Sequence, residues 1–151
     1  MDTKQAVQII RFNCPKTLDD FKNHFRISAL GQGCYRHAYS IDSTNLILKI
    51  ENSQSNEHTA HELKVIEYMR RSYRQLLCHI PTIIYSAPGL LVMPKYSKIP
   101  PLDERVEKLR NLLYNSPDII PQDMHFENVM LDCRGNLRLT DMGQFRIIRL
   151  K

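Results

Sequence analysis

The chain has 151 residues, 42% of them hydrophobic and 25% charged, a composition near the globular average, and a domain of this length buries about 70% of its unfolded surface. A mainly disordered chain is excluded, and so is a membrane span, because the richest apolar stretch, 80–92, is broken by Pro81, Ser86, Pro88 and Gly89 well short of the roughly 20 residues a bilayer requires. The net charge of +5 suits nucleic acid, an acidic protein or a phosphate-rich ligand without choosing among them.

The N-terminal MDTKQAVQIIRF carries Asp2, lacks a long apolar core and has no small-residue cleavage site, so no secretory signal is read there and a cytoplasmic protein is expected. Leu18, Phe21 and Phe25 recur at helical spacing after Pro15 and predict a short helix. From Ile27 onward three short apolar runs, ISALGQG, HAYSI and LILKIE, are separated by turn-forming residues and predict an antiparallel meander. Residues 57–77 place Leu63, Val65, Ile66, Met69, Tyr73 and Leu76 on a helical stripe. IPTIIYS and LLVMPKY flank Ala-Pro-Gly and predict a fourth and fifth strand joined by a tight turn. A second helix is expected over 102–114, with Val106, Leu109 and Leu113 inward, and VMLD and LRLTD around Cys-Arg-Gly-Asn predict a hairpin.

Several polar residues fall where a bland structural role is strained. Lys49 lies in LILKI between apolar neighbours, where an ammonium must snorkel or find a negative partner. Glu62 lies three, four and seven residues before Val65, Ile66 and Met69, on the inward stripe, whereas Glu67 is about 140° further round and solvated. Glu62 is therefore the candidate partner of Lys49. Gly31 and Gly33 sit between the first two strands, where glycines either serve a turn with positive φ or let a phosphate approach the backbone. Asp123 and Asn128 in PQDMHFENVMLD and Asp141 in Asp-Met-Gly supply oxygen donors in loops at strand ends, the donor type that Mg²⁺ and a hydroxyl nucleophile require. Singly, each is as readily a turn or cap residue.

Taken in order, Gly31/Gly33, Lys49, Glu62, Asp123/Asn128 and Asp141/Gly143 resemble the glycine-rich loop, strand lysine, helix glutamate, D-x-x-x-x-N loop and D-x-G motif of the protein-kinase-like fold. Asn128 and Asp141 are thirteen residues apart with a hairpin between them, as in that fold. Within it, SALGQGCYRHAY and HELKVIEYMRRS look most like the bacterial YrbL-like family of the PhoP regulatory network. The resemblance implies an α+β fold: a five-stranded antiparallel N-lobe with one helix over about 1–96 including the hinge, and a reduced, truncated C-lobe over about 97–151, together one kinase-like domain spanning 1–151. It implies ATP and Mg²⁺ as cofactors, with Gly31 and Gly33 covering the phosphates, Lys49 contacting them and Glu62 holding Lys49. Asp123 would take the proton from an acceptor hydroxyl, and Asn128 and Asp141 would bind the metal. Pro94 and Tyr96 fall at the adenine hinge, where Pro94 offers only its carbonyl and Tyr96 a donor. An ATP-dependent phosphotransferase is implied, with a pseudokinase acting as a nucleotide-binding or scaffolding regulator as the alternative.

The departures from the pattern are specific. Arg36 stands at the third glycine, Met142 replaces the usual Phe, and Pro121-Gln122 stands where His-Arg precedes the catalytic Asp, which argues against switching by a phosphorylated activation loop. His125 occupies a place where small-molecule kinases of this fold often carry His, hinting at a non-protein acceptor. Only eight residues, Gln144 to Lys151, follow Gly143, leaving no room for the activation segment and later helices. Val106, Leu109, Leu113 and the hairpin are then expected to expose apolar surface that a homodimer or partner protein would cover.

Four dispersed cysteines, Cys14, Cys34, Cys78 and Cys133, suggest reduced thiols rather than a zinc site or disulfide framework. The clusters Arg70, Arg71, Arg74 and Arg134, Arg138, Arg146, Arg149, Lys151 read first as solvated faces. Nucleic-acid binding through Arg70, Arg71 and Arg74 would leave the ordered motif series as coincidence and is set aside.

Overall fold

The computed structural model describes residues 1–122, 124 and 126–148. The chain divides into two compact units, one of residues 1–60 and 82–95 and the other of residues 61–81 and 96–151.

The first unit is built on one antiparallel sheet. Strands β1 (Ile27–Gln32), β2 (Arg36–Ile41), β3 (Leu46–Glu51), β4 (Tyr85–Ala87) and β5 (Leu90–Pro94) take the order β1-β2-β3-β5-β4, the five-stranded arrangement expected. The strand expected over IPTIIYS is only three residues long, pairing Tyr85–Ala87 with Val92–Leu90, with the Ile84 N–H donating to Val92 O at 2.8 Å just before it. Alternation assigns the two faces. Leu46 and Leu48 of β3 and Leu90 and Val92 of β5 are buried with Ala6, Ile10, Phe21 and Phe25. Ala6 and Ile10 come from helix α1 (Thr3–Asn13), Phe21 from helix α2 (Leu18–Lys22) and Phe25 from the segment just after it, so these helices and that segment cover one face of the sheet. Helix α1 lies in a stretch for which the sequence reading predicts no element. Its start is a capping box: the Asp2 carboxylate accepts the Gln5 N–H at 2.8 Å, and the Gln5 side chain accepts the Asp2 N–H at 3.1 Å.

Helix α3 (Glu57–Ser72) starts in the first unit without a local side-chain cap. Asn56, immediately before it, has φ +56°. The orphan N–H groups of His58 and Thr59 donate instead to the carboxylate of Glu51, at the end of β3, at 3.1 and 2.9 Å. Gly89, in the β4–β5 turn, packs beside this junction at φ +71°; a Cβ there would lie 2.1 Å from Asn56 Oδ1. The turn therefore calls for glycine by its φ, and any Cβ there would also have to displace the Asn56 amide.

The second unit contains the remainder of α3, a 3₁₀ turn at Arg74–His79, helix α4 (Glu104–Tyr114) and two small antiparallel pairs. One pair joins β6 (Ile119–Ile120) to a terminal strand at Arg146–Ile147, and the other is the predicted hairpin of β7 (Val129–Leu131) and β8 (Leu137–Leu139); the terminal strand is β9. Asp103 caps α4 by accepting the Arg105 N–H at 3.0 Å. The exposure expected of the apolar residues of α4 and the hairpin is not observed. Val106, Leu109 and Leu113 of α4 and Val129, Leu137 and Leu139 of the hairpin are all buried, so these residues give no reason to invoke a partner chain. The cysteines are all exposed and free, and no helix among the described residues is long and apolar enough to cross a membrane.

Candidate functional site

In the first unit the sheet places the glycine-rich loop and Lys49 in one line. Across the strands, Gly31 is opposite Ala38, Ala38 opposite Lys49 and Lys49 opposite Leu91. Cross-strand partners share a face, and this row alternates with the one holding Leu48 and Val92, so it lies on the face away from α1 and α2. Two strand spacings separate Gly31 from Lys49, about 10 Å. The register shifts between Ala29 and Gly31, and that bulge brings Gly31 into the row.

Neither loop glycine is required by its backbone. Gly31 and Gly33 both lack the positive φ that a turn explanation needs, and a Cβ on Gly31 would meet nothing within 4 Å. The absent side chain at Gly31 is thus surplus to the fold. The N–H of Gly33 is already engaged, donating to Arg36 O at 2.8 Å, so only its Cβ-free surface remains for a ligand. The loop tip is anchored within this unit. Asn52 Nδ2 donates to Gly33 O at 3.3 Å and its N–H to Tyr35 O at 2.8 Å, and the Tyr35 ring stacks on His58 with centroids 4.6 Å apart. Sequence reading missed this anchor, since nothing in the spacing of Tyr35, Asn52 and His58 announces it. Arg36 is buried in β2 opposite Glu51, a side chain built into the sheet where the motif would have its third glycine. Burial raises the Glu51 pKa, but the N–H donors of Thr59 and His58 and the hydroxyl of Ser53 outweigh it and hold the carboxyl below the usual range.

The hinge segment divides between the units. Pro94 ends β5 opposite Leu46, and the Lys95 N–H donates to Asn45 O at 3.0 Å. Tyr96, buried, begins the second unit's share. Next to it, Ser97 and Leu131 exchange two backbone hydrogen bonds of 2.8 Å, tying this segment to β7. A cavity of about 640 Å³ opens beside them, with Ile99, Leu102, Val129 and Met130 as apolar walls and Lys98 and Glu127 as polar edges.

The β7–β8 hairpin places the second set of motif residues. Asn128 immediately precedes β7, and its carbonyl accepts the Thr140 N–H at 2.8 Å. Asp141 follows Thr140, so the antiparallel register carries both candidate metal residues to the same end of the hairpin. The Asp141 carboxylate accepts the Gly143 N–H at 3.2 Å. Helix α3 reaches the same segment. Glu62, 1% exposed, accepts the Met142 N–H at 3.0 Å, and His61 Nε2 donates to Phe145 O at 2.6 Å. The inward placement of Glu62 agrees with its spacing, while the role of His61 had no sequence signal. Lys49 and Glu62 fall in different units. Asp123 and His125 lie outside the described residues, as do Arg149 and Lys151.

A carboxylate and an amide oxygen form a hard donor pair that fits Mg²⁺, which is held by one or two carboxylates together with substrate phosphates. No cluster of three or more acidic, His or Cys side chains that could bind a metal by itself is present among the described residues.

No family profile matches the sequence, and no curated protein matches it. Solved structures match in fold. A streptomycin–ATP–APH(2'')-IIa ternary complex is similar over 86% of this chain and 70% of its own, with a TM-score of 0.57 and 10% identity. A gentamicin–APH(2'')-IIa complex is similar over 88% and 72%, with a TM-score of 0.59 and 10% identity. ADP-bound aminoglycoside phosphotransferase APH(2'')-Ib is similar over 83% and 68%, with a TM-score of 0.54 and 10% identity. The chain has the α+β, protein-kinase-like fold of these phosphotransferases.

Proposed function

We propose that the protein is an ATP- and Mg²⁺-dependent phosphotransferase that acts on a hydroxyl acceptor, and that its nearest relationship within the fold is to the bacterial, cytoplasmic YrbL-like family. The reading rests on the row in which Gly31, whose missing Cβ the fold does not need, is aligned with Lys49. The likeness to phosphotransferase structures that hold ATP or ADP supports it. Gly31 and Gly33 would admit the phosphates close to the backbone. Lys49 would contact them and be held by Glu62. The 640 Å³ cavity of the second unit has room and apolar walls for a nucleoside. Pro94 O and a Tyr96 donor remain the groups that the family resemblance assigns to adenine.

Asn128 and Asp141 would hold Mg²⁺, which when bound supplies charge neutralisation on the phosphate oxygens. Asp123 would accept the acceptor hydroxyl's proton as that oxygen bonds to the γ-phosphorus. The bond from that phosphorus to the β–γ bridging oxygen breaks, and ADP leaves. The barrier would be lowered chiefly by positioning and by the Lys49 charge.

Thermal unfolding with and without ATP and Mg²⁺ tests the reading. A ligand at a hundredfold its Kd adds about 2.7 kcal/mol of stability, so the wild type should melt measurably higher with both present. Lys49→Ala and Asp141→Asn should lose most of that shift, and no shift in the wild type would overturn the assignment. Asp123→Asn should keep the shift and lose phosphate transfer. A wild type that binds ATP without turning it over would instead be a pseudokinase, the second reading.

A further inference from the structure

A second cleft, of about 280 Å³, lies in the second unit and shares no residue with the 640 Å³ cavity. One wall is a single face of α4, formed by Arg105, Lys108, Leu109 and Leu112; the turn leading to Leu137 forms another, and His79 closes it. The walls are tied by side chain to backbone bonds. Arg105 Nη1 donates to Gly135 O at 2.8 Å, and His79 Nδ1 donates to Leu137 O at 3.0 Å. The hairpin turn is held by Asp132, whose carboxylate accepts the Arg134 and Asn136 N–H groups at 2.8 and 2.9 Å and pairs with Arg138. A cleft braced on every side is preorganised, which lowers the ordering cost of binding.

The charges in this cleft are unequally spent. Arg105 is neutralised by Asp103, with which it makes an ion pair of 2.6 Å. Glu107 pairs with Arg110 at 3.4 Å. Glu104 lies one turn before Lys108 on the same helix, and among the described residues Lys108 has no ion pair. Lys108, exposed on this face, therefore presents its ammonium to the cleft beside the leucine side chains of the same helix face.

We infer that this cleft binds a small oxyanion carrying a short apolar arm, the head at Lys108 and the arm against Leu109, Leu112 and Leu137. Liquid water takes about 30 Å³ per molecule, so a cleft of this size displaces about nine waters. A short-chain carboxylate or phosphate monoester is of a size that fills it.

The test is a titration of the full chain, methyl-labelled at leucine, with pentanoate and with butyl phosphate, the Leu109 and Leu112 resonances being followed by NMR. At least one anion should shift them saturably, and which one does so identifies the head group. Inorganic phosphate and butylamine should not shift them. Lys108→Glu should weaken binding by about tenfold or more, Lys108→Gln should weaken it less, and Lys4→Glu, on exposed α1, should leave it unchanged. The inference is overturned if neither anion shifts these methyls, if butylamine or inorganic phosphate does so as well, or if both Lys108 variants bind like the wild type.

Discussion

Glu62 Oε1 accepts the backbone N–H of Met142 at 3.0 Å, joining α3 to the Asp-Met-Gly segment across 80 residues of sequence. Both residues are fully or almost fully buried, so water cannot replace the acceptor if it is removed. Leaving a buried donor unsatisfied costs about 1–3 kcal/mol, more when a charged group is involved. Glu62→Ala should therefore unfold at lower urea with an unchanged m-value, by at least that amount. Glu62→Gln keeps an oxygen in reach of Met142 and should lose less. Equal losses for the two variants would show that the charge, and not the hydrogen bond to Met142, carries the stability.

Glu51 caps α3 from β3 through the His58 and Thr59 N–H groups, and its carboxyl is held below the ordinary range. A carboxyl depressed in the folded state stabilises above its unfolded pKa, and that contribution is lost as pH falls through the folded value. The stability difference between wild type and Glu51→Gln should thus be constant at neutral pH and shrink below about pH 4.3. Its size at pH 7 should be about 0.5–2 kcal/mol, the range of helix caps. Urea unfolding at a series of pH values reads both; a difference that persists unchanged into acid would remove the carboxylate from the account.

Asp132 gathers the β7–β8 turn by accepting the Arg134 and Asn136 N–H groups, the Asn136 side chain and the Arg138 guanidinium. Burial raises its pKa, but these donors together hold it far below the ordinary value. Asp132→Ala should cost about 1–3 kcal/mol. Backbone amide exchange should then speed up at Arg134 and Asn136 more than at Met93 in the other unit. A uniform change would mean that the turn is held by its strands and not by this side chain.

The sheet was legible because its signals are local: alternating runs, a Pro-Gly turn and a Cys-Arg-Gly-Asn turn each act within a few residues. Glu62 was legible for the same reason, since its spacing from Val65, Ile66 and Met69 sets its face. Helix α1 was missed because only Ala6 and Ile10 are buried in it, too thin a stripe to stand out among polar neighbours; its Asp2–Gln5 capping box was the available signal. The start of α3 was illegible because its cap, Glu51, comes from the preceding strand. Tyr35 with His58 and His61 with Phe145 are tertiary pairings that only the fold creates. The expected exposure of Val106, Leu109 and Leu113 failed because it was argued from missing C-lobe helices, whereas the second unit buries these residues itself.

Three glycines separate backbone demand from ligand demand. Gly89 has φ +71° and no room for a Cβ, Gly135 has φ +79° with open space, and Gly31 has neither constraint. Alanine in a left-handed conformation costs about 1–2 kcal/mol, so Gly135→Ala should lose about that much and Gly89→Ala more, because Asn56 must also move. Gly31→Ala should be neutral or slightly stabilising, as alanine loses about 0.5–1 kcal/mol less conformational entropy than glycine in a strand. The nucleotide reading makes the opposite ranking for binding: Gly31→Ala should reduce the ATP- and Mg²⁺-dependent rise in melting temperature, while Gly135→Ala should leave it intact. Thermal unfolding of the three variants with and without nucleotide gives both rankings in one experiment. A Gly31→Ala protein that is as stable as wild type and responds to ATP as strongly would leave the glycine loop without a phosphate to cover.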